Sequence, residues 1–333
     1  MNIKKVNKNN SDNSNQVFLN MLGFSCNNNC IMCTTKPKEK NYRDRNTEDI
    51  LDDLKKGINQ GFRKVEFTGG EPTIREDIFD LVKSAKNLGY KDIALSTNGR
   101  ILSYNKFTEE LIKSGVGRVN FSLYGHNAKL HDAITRTPQS FEQTIQGIKN
   151  VQKFPEVTII INTVVSRLNY QYLTEIGNFL LSLGINFFNI LDLIPDGYGK
   201  DFYKTLVVKM NDLSQALNSL ESILDKFDLI TFFDFPLCLF RSRIRDNPYT
   251  TFITAAGREK TFKQVGYRPK RLKKEGEIYK DIHKERIEIC ENCKFCRECG
   301  GIWRDYLDLY GQEGVINLAQ KHRCLKKIKY LKK

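Results

Sequence analysis

The stretch Cys26-Asn27-Asn28-Asn29-Cys30-Ile31-Met32-Cys33 sets three cysteines in a C-x3-C-x2-C array. An apolar strand, Val17-Phe18-Leu19-Asn20-Met21-Leu22, runs up to it, and Gly23 begins the turn between them. Three thiolates on a short loop at this spacing reach three irons of one cubane cluster. Iron–sulfur clusters are ordinarily held by four cysteines, so a three-cysteine loop leaves one iron free to take a small chelating ligand. A zinc site, or three unrelated reduced thiols, is the plainer alternative, and the spacing alone does not exclude it.

The other cysteines fall into groups. One stands at 238, four at 290–299 and one at 324, and none lies between Thr34 and Leu237. Nine cysteines in 333 residues without a signal peptide argue for metal rather than disulfides. Residues 1–16 are polar, with no apolar signal core, and read as an arm of a cytoplasmic protein. No apolar run approaches the roughly 18–20 residues that span a membrane, so no membrane partner is expected. The net charge of +14 suits an acidic or phosphorylated partner, but lysine-rich composition alone also explains it. The densest basic run is a tail at 321–333. No aromatic–basic interleaving accompanies it, which disfavours nucleic acid as a partner.

After the cysteine loop the chain repeats one unit, an amphipathic helix followed by a short strand. Ile50, Leu51, Leu54 and Ile58 mark a helix starting near Thr47, and 64–68 reads as the next strand. Further helices are expected near 76–88, 106–114, 140–153 and 173–183. Strands are expected at 92–96, 119–123, 158–165 and 187–194. Six strands alternating with helices predict a parallel α/β sheet with right-handed crossovers. Periodicity alone leaves a doubly wound sheet and a partial barrel equally open. A helix at 210–228 and a strand at 229–235 follow, and the pattern then dissolves into a basic stretch. The boundary of a core spanning 17–228 is therefore placed near 228, with a cysteine-bearing unit over 229–320.

The second strand ends in Gly69-Gly70-Glu71-Pro72, which by itself is an ordinary turn. Taken with C-x3-C-x2-C one strand earlier, it resembles the signature of the radical SAM superfamily. The resemblance selects the partial (β/α)6 TIM-type barrel, with its ligands at the C-terminal strand ends. It also implies a cluster held by Cys26, Cys30 and Cys33, whose open iron takes S-adenosylmethionine (SAM). Reductive cleavage then gives a 5′-deoxyadenosyl radical that abstracts a substrate hydrogen, with a flavodoxin- or ferredoxin-type protein as electron donor. By the same resemblance Gly69, Gly70 and Glu71 hold the SAM amino group, and Thr97, Asn98, Ser122 and Asn162 line the SAM site. Arg136 pairs with its carboxylate. Met32 stands where many members have an aromatic residue, so its backbone is assigned to the adenine. Tyr124 and Asp192 point toward the rim as candidate substrate contacts, and His126 and His131 read mainly as structural.

The C-terminal group, Cys290, Cys293, Cys296 and Cys299, has two readings. One is a self-contained C-x2-C-x2-C-x2-C metal knot. The other, C-x2-C-x5-C with Cys238, resembles the SPASM/twitch-type auxiliary cluster domain. Trp303 occupies a position where the two-cluster form has cysteine, so one auxiliary 4Fe–4S cluster is implied. Its ligands would be Cys290, Cys293, Cys299 and Cys238, with Cys324 and Cys296 as alternative fourth ligands. This group of enzymes acts on peptides or on small molecules such as sugars and nucleotides. Peptide modification is the leading expectation. A non-catalytic iron–sulfur protein that binds nucleic acid is the contrasting one.

Overall fold

The computed structural model describes residues 13–35, 44–254, 261–266 and 284–326. Most of the polar arm (1–12) and the end of the basic tail (327–333) lie outside the described residues.

Nine parallel strands form one sheet. They are β1 (Val17–Met21), β2 (Lys64–Thr68), β3 (Asp92–Thr97), β4 (Arg118–Ser122), β5 (Thr158–Val164), β6 (Phe187–Leu191), β7 (Leu229–Phe233), β8 (Thr250–Ile253) and β9 (Phe262–Gly266). Their order is β8-β7-β6-β5-β4-β3-β2-β1-β9. The sheet curls into a partial TIM-type barrel with helices outside. All six expected strands are present. The sheet also runs on across residue 228, because β7 pairs with β6 in register Phe187↔Leu229, and β8 follows it. At the other edge β9 pairs with β1 from more than 240 residues away in sequence, Val17 opposite Phe262.

Alternation explains the two faces. Val65, Phe67, Ile93, Leu95, Val119, Phe121, Ile161 and Phe188 are buried on the outer face under the helices. These are α1 (Thr47–Asn59), α2 (Ile78–Leu88), α3 (Asn105–Ser114), α4 (Ala128–Thr135), α5 (Ser140–Val151) and α6 (Leu173–Ser182). The intervening positions face the lumen, where polar Glu66, Ser96, Asn120, Ser122, Asn162 and Asn189 alternate with apolar Leu19, Ile160, Leu191 and Phe233. Asn46 caps α1, its side chain accepting from Asp49 N at 2.7 Å. Asp132 caps α5 from outside, accepting from Gln139 N and Phe141 N.

Beyond β6 come two short helices, α7 (Gly197–Asp201) and α8 (Tyr203–Leu206), then α9 (Met210–Ser219) and α10 (Ser242–Arg245). The cysteine-rich end contains an antiparallel pair, β10 (Lys284–Glu285) with β11 (Ile302–Trp303), then α11 (Arg304–Tyr310) and α12 (Glu313–Lys321). It is fastened to the sheet domain through Tyr306, whose hydroxyl accepts from Met210 N at 2.9 Å. No described helix is long and apolar enough to cross a membrane.

Candidate active site at the rim of the barrel

The three-cysteine loop leaves β1 at its C-terminal end and lies against the turn after β2. Gly70 N donates to Gly23 O at 2.8 Å, and Glu71 N donates to Ser25 O at 2.7 Å. These bonds explain the glycine pair. A Cβ on Gly70 would fall 2.1 Å from Ser25 O, and one on Gly69, at φ +94°, 2.7 Å from Gly23 O. What approaches the pair here is the cysteine loop itself.

Glu71 is buried and gathers the neighbouring groups. Its Oε1 accepts from Thr73 N (3.1 Å), Thr73 Oγ1 (2.6 Å) and Thr97 Oγ1 (2.6 Å), and its Oε2 accepts from Asn98 N (2.7 Å). Burial raises its pKa, and these donors act against that shift. Oε2 has one protein donor and retains acceptor capacity for an amino group. Asn98 Nδ2 donates to Asn27 Oδ1 at 2.6 Å and lies 3.8 Å from Cys26 Sγ. Thus the structure brings Cys26, Gly69, Gly70, Glu71, Thr97 and Asn98 together, although the Thr97 hydroxyl is committed to Glu71.

The thiols sense one another. Burial, then the charge of Glu71, pushes Cys26 up to about 12. Burial also raises Cys30, as do Cys33 and Cys26, while Arg136 opposes the shift. Thiols in this state ionise when a metal takes the proton's place. Three thiols on one loop are the donor set that a cubane cluster with one open iron takes.

The remaining expected residues occupy the same rim. Ser122 ends β4 two residues before buried Tyr124, which lies within electrostatic reach of all three loop cysteines. Asn162 stands beside Ser122 in register and accepts from Asn189 Nδ2 at 2.8 Å. Arg136 donates not to open space but to the loop, Nε to Asn29 O at 2.6 Å, with the rings of Tyr198 and Phe202 beside its guanidinium. Met32 is buried in the core. His131 is structural: Nδ1 accepts from Tyr124 N at 3.1 Å, the ring stacks on Tyr124, and burial lowers its pKa to about 4. Sequence reasoning missed Arg100, which reaches the loop from beyond β3, and Tyr198, whose N donates to Cys33 O at 2.8 Å. The glycines flanking Tyr198 were the available signal, since a Cβ on Gly197 would meet Cys33 O at 2.5 Å.

At the C-terminal end Cys238, Cys290, Cys293, Cys296 and Cys299 line one cavity, walled by Leu237, Ile289, Ile302 and Val315. Cys324 is fully buried beside it and does not line it. Its Sγ accepts from Arg245 Nη1 at 3.4 Å. Burial raises the thiols of Cys238, Cys290, Cys293 and Cys324, and neighbouring thiols add to the effect, while the Arg245 charge opposes it at Cys293 and Cys324.

Asp192 links the two ends. It lies just past β6, and its Oδ2 accepts from Trp303 Nε1 at 2.7 Å. Lys284 sits over the Trp303 ring, 4.2 Å from its centroid. Burial, with Asp234 adding, pushes the Asp192 carboxyl up to about 7, against the pull of Lys284 and Trp303.

The radical SAM superfamily profile matches residues 21–180. This part of the chain is a radical SAM domain. A domain of this kind takes a 4Fe–4S cluster and SAM, and the rim donor set fits both. The cysteine-rich end fits an auxiliary cluster domain. A relative from Sulfurisphaera tokodaii, named probable GTP 3′,8-cyclase, is 30% identical over 203 residues, which is 61% of each chain. One of the same name from Saccharolobus islandicus is 32% identical over 61% of this chain and 63% of its own. The chain thus spans about three fifths of the length of these curated relatives. Among solved structures, SuiB of Streptococcus suis bound to its precursor peptide SuiA covers 86% of this chain and 71% of its own, at TM-score 0.58 and 15% identity. The FeFe-hydrogenase maturase HydG of Carboxydothermus hydrogenoformans covers 72% and 58%, at TM-score 0.54 and 15% identity. At these identities the likeness is one of fold.

Proposed function

We propose that this chain is a radical SAM enzyme that modifies a peptide, with Cys26, Cys30 and Cys33 holding the SAM-binding cluster. Cys238, Cys290, Cys293 and Cys299 would hold an auxiliary one. Once bound and reduced, the first cluster and SAM supply a 5′-deoxyadenosyl radical that takes a hydrogen atom from the substrate. Glu71 would hold the SAM amino group, and Ser122, Asn162 and Arg136 would border the rest of that site. The observation that carries the reading is that both thiol groups adjoin one stretch of rim. Asp192 touches Trp303 of the cysteine-rich end, and Tyr198 touches Cys33. Six residues extend at most roughly 20 Å, so the two contacts lie within that distance of each other.

The lumen favours a peptide. Its middle and upper layers present Ser96, Asn120, Ser122, Asn162 and Asn189, whose amides and hydroxyls suit a polar backbone. Below them lie two side chains of opposite charge in one register row, Glu66, whose Oε1 accepts from Ser96 Oγ at 2.6 Å, and Arg118. The peptide-bound SuiB shares the fold. A second reading, a nucleotide such as GTP, draws on the names of the curated relatives.

The test is reductive SAM cleavage by anaerobically reconstituted protein, with GTP or with a pool of synthetic peptides. Stimulation of 5′-deoxyadenosine formation by peptides, with deuterium carried from peptide to product, is expected. Stimulation by GTP alone would replace the peptide reading with the nucleotide one. No cleavage by fully loaded protein would remove the enzyme reading altogether.

A further inference from the structure

Three consecutive asparagines separate Cys26 from Cys30, and each is held from outside the loop. Arg100, two residues beyond Asn98, sends Nη1 to both the carbonyl of Asn27 and Asn28 Oδ1, the latter at 3.1 Å. Its Nε donates to Gln143 Oε1 of α5 at 2.5 Å, and its backbone N donates to Asn98 Oδ1 at 3.0 Å. Asn98 in turn holds Asn27 Oδ1. From the opposite side Arg136 Nε and Nη2 take the carbonyl and Oδ1 of Asn29, the latter at 3.3 Å. A loop with no ladder of its own leaves carbonyls in need of donors. Asparagine side chains otherwise bond their own backbone in several competing geometries. A planar guanidinium satisfies carbonyl and side-chain oxygen together and removes that choice.

We propose that Arg100 is a positioning residue for the cluster loop. Anchored on α5 by Gln143, it fixes the Asn27–Asn28 segment, and with it the spacing of Cys26 and Cys30, before any iron arrives. Arg136 completes the clamp at Asn29. The proposal rests on the cluster reading for its purpose, but the clamp is a property of the metal-free chain.

The experiment compares Arg100→Ala, Arg100→Lys and Gln143→Leu in the full chain. In metal-free protein, amide exchange at residues 26–30 is expected to rise about tenfold in Arg100→Ala, the effect of losing a charged hydrogen bond. Arg100→Lys, which cannot fork, and Gln143→Leu, which frees Nε, are expected to show a smaller rise. In reconstituted protein, chelator removes iron faster from all three. Far-ultraviolet circular dichroism and amide exchange in the sheet strands should be unchanged in all three, which separates a local clamp from a residue needed only for folding. Wild-type exchange and chelator lability in both Arg100→Lys and Gln143→Leu would overturn the proposal, even if Arg100→Ala does not fold. If no cluster ever assembles, the exchange measurements still decide the clamp separately from the cluster reading.

Discussion

At the scale of single residues, the glycine pair after β2 shows how a short motif acts. Gly70 is required because Ser25 O lies where its Cβ would go, not because the turn is tight. Gly70→Ala must push the cysteine loop away from Glu71, breaking the bonds from Gly70 N and Glu71 N that seat it. Overpacking of this kind costs about 1–3 kcal/mol, which a domain of this size survives. The expected result is a folded protein, lower in melting temperature by a few degrees, that loses the iron of the first site and keeps that of the second. Iron and sulfide analysis beside far-ultraviolet circular dichroism checks it. Full iron at the first site would show that the loop adjusts and that the motif's glycine serves something else. The motif was legible in the sequence but its reason was not, since the atom that excludes a side chain comes from a loop more than 40 residues earlier.

Among elements, the docking of β11 on the end of β6 joins the cysteine-rich end to the rim, and one contact in it titrates. The Asp192 carboxyl is raised from 3.8 to about 7, so the folded state holds a proton that the unfolded chain releases near 4. Between those values the unfolded state binds fewer protons, and stability falls as pH rises. From pH 5 to 8 this amounts to roughly 2–3 kcal/mol. Asp192→Asn keeps an acceptor for Trp303 Nε1 and removes the ionisable group. Its melting temperature should fall less than the wild type's over that range. Parallel curves for the two proteins would show that the carboxyl ionises without cost to the fold. The sequence placed Asp192 at the rim but not Trp303 against it, because the pair is separated by 111 positions and no local periodicity links them. The edges of the sheet escaped for the same reason. Helix–strand alternation marks β1 to β6 in sequence, whereas β8 has four residues and β9 carries little apolar character, and their partners are set by the curl of the sheet.

For the whole molecule, the decisive count is of clusters. The rim loop offers three thiols, and the C-terminal cavity offers five, one more than a cubane ordinarily takes. If the two groups act separately, each should load without the other. Wild-type protein is expected to hold about eight irons, and the Cys26/Cys30/Cys33→Ala variant about four, with SAM cleavage lost. The geometry then ranks the fourth auxiliary ligand. Cys238 lines the cavity on its sheet side, opposite the Cys290–Cys299 loop. Cys296 lines it from within that loop. Cys324 lies outside, its sulfur turned to Arg245 and its backbone tied to Lys294 and Ala319. In the triple-variant background, Cys238→Ala should therefore strip the remaining iron, whereas Cys296→Ala and Cys324→Ala keep most of it. Loss of iron on Cys324→Ala instead would mean that the cluster draws Cys324 inward past Arg245. The guanidinium would then be released toward the cavity, and the Arg245–Phe295 stack, 4.7 Å in this state, would be a contact of the metal-free chain alone.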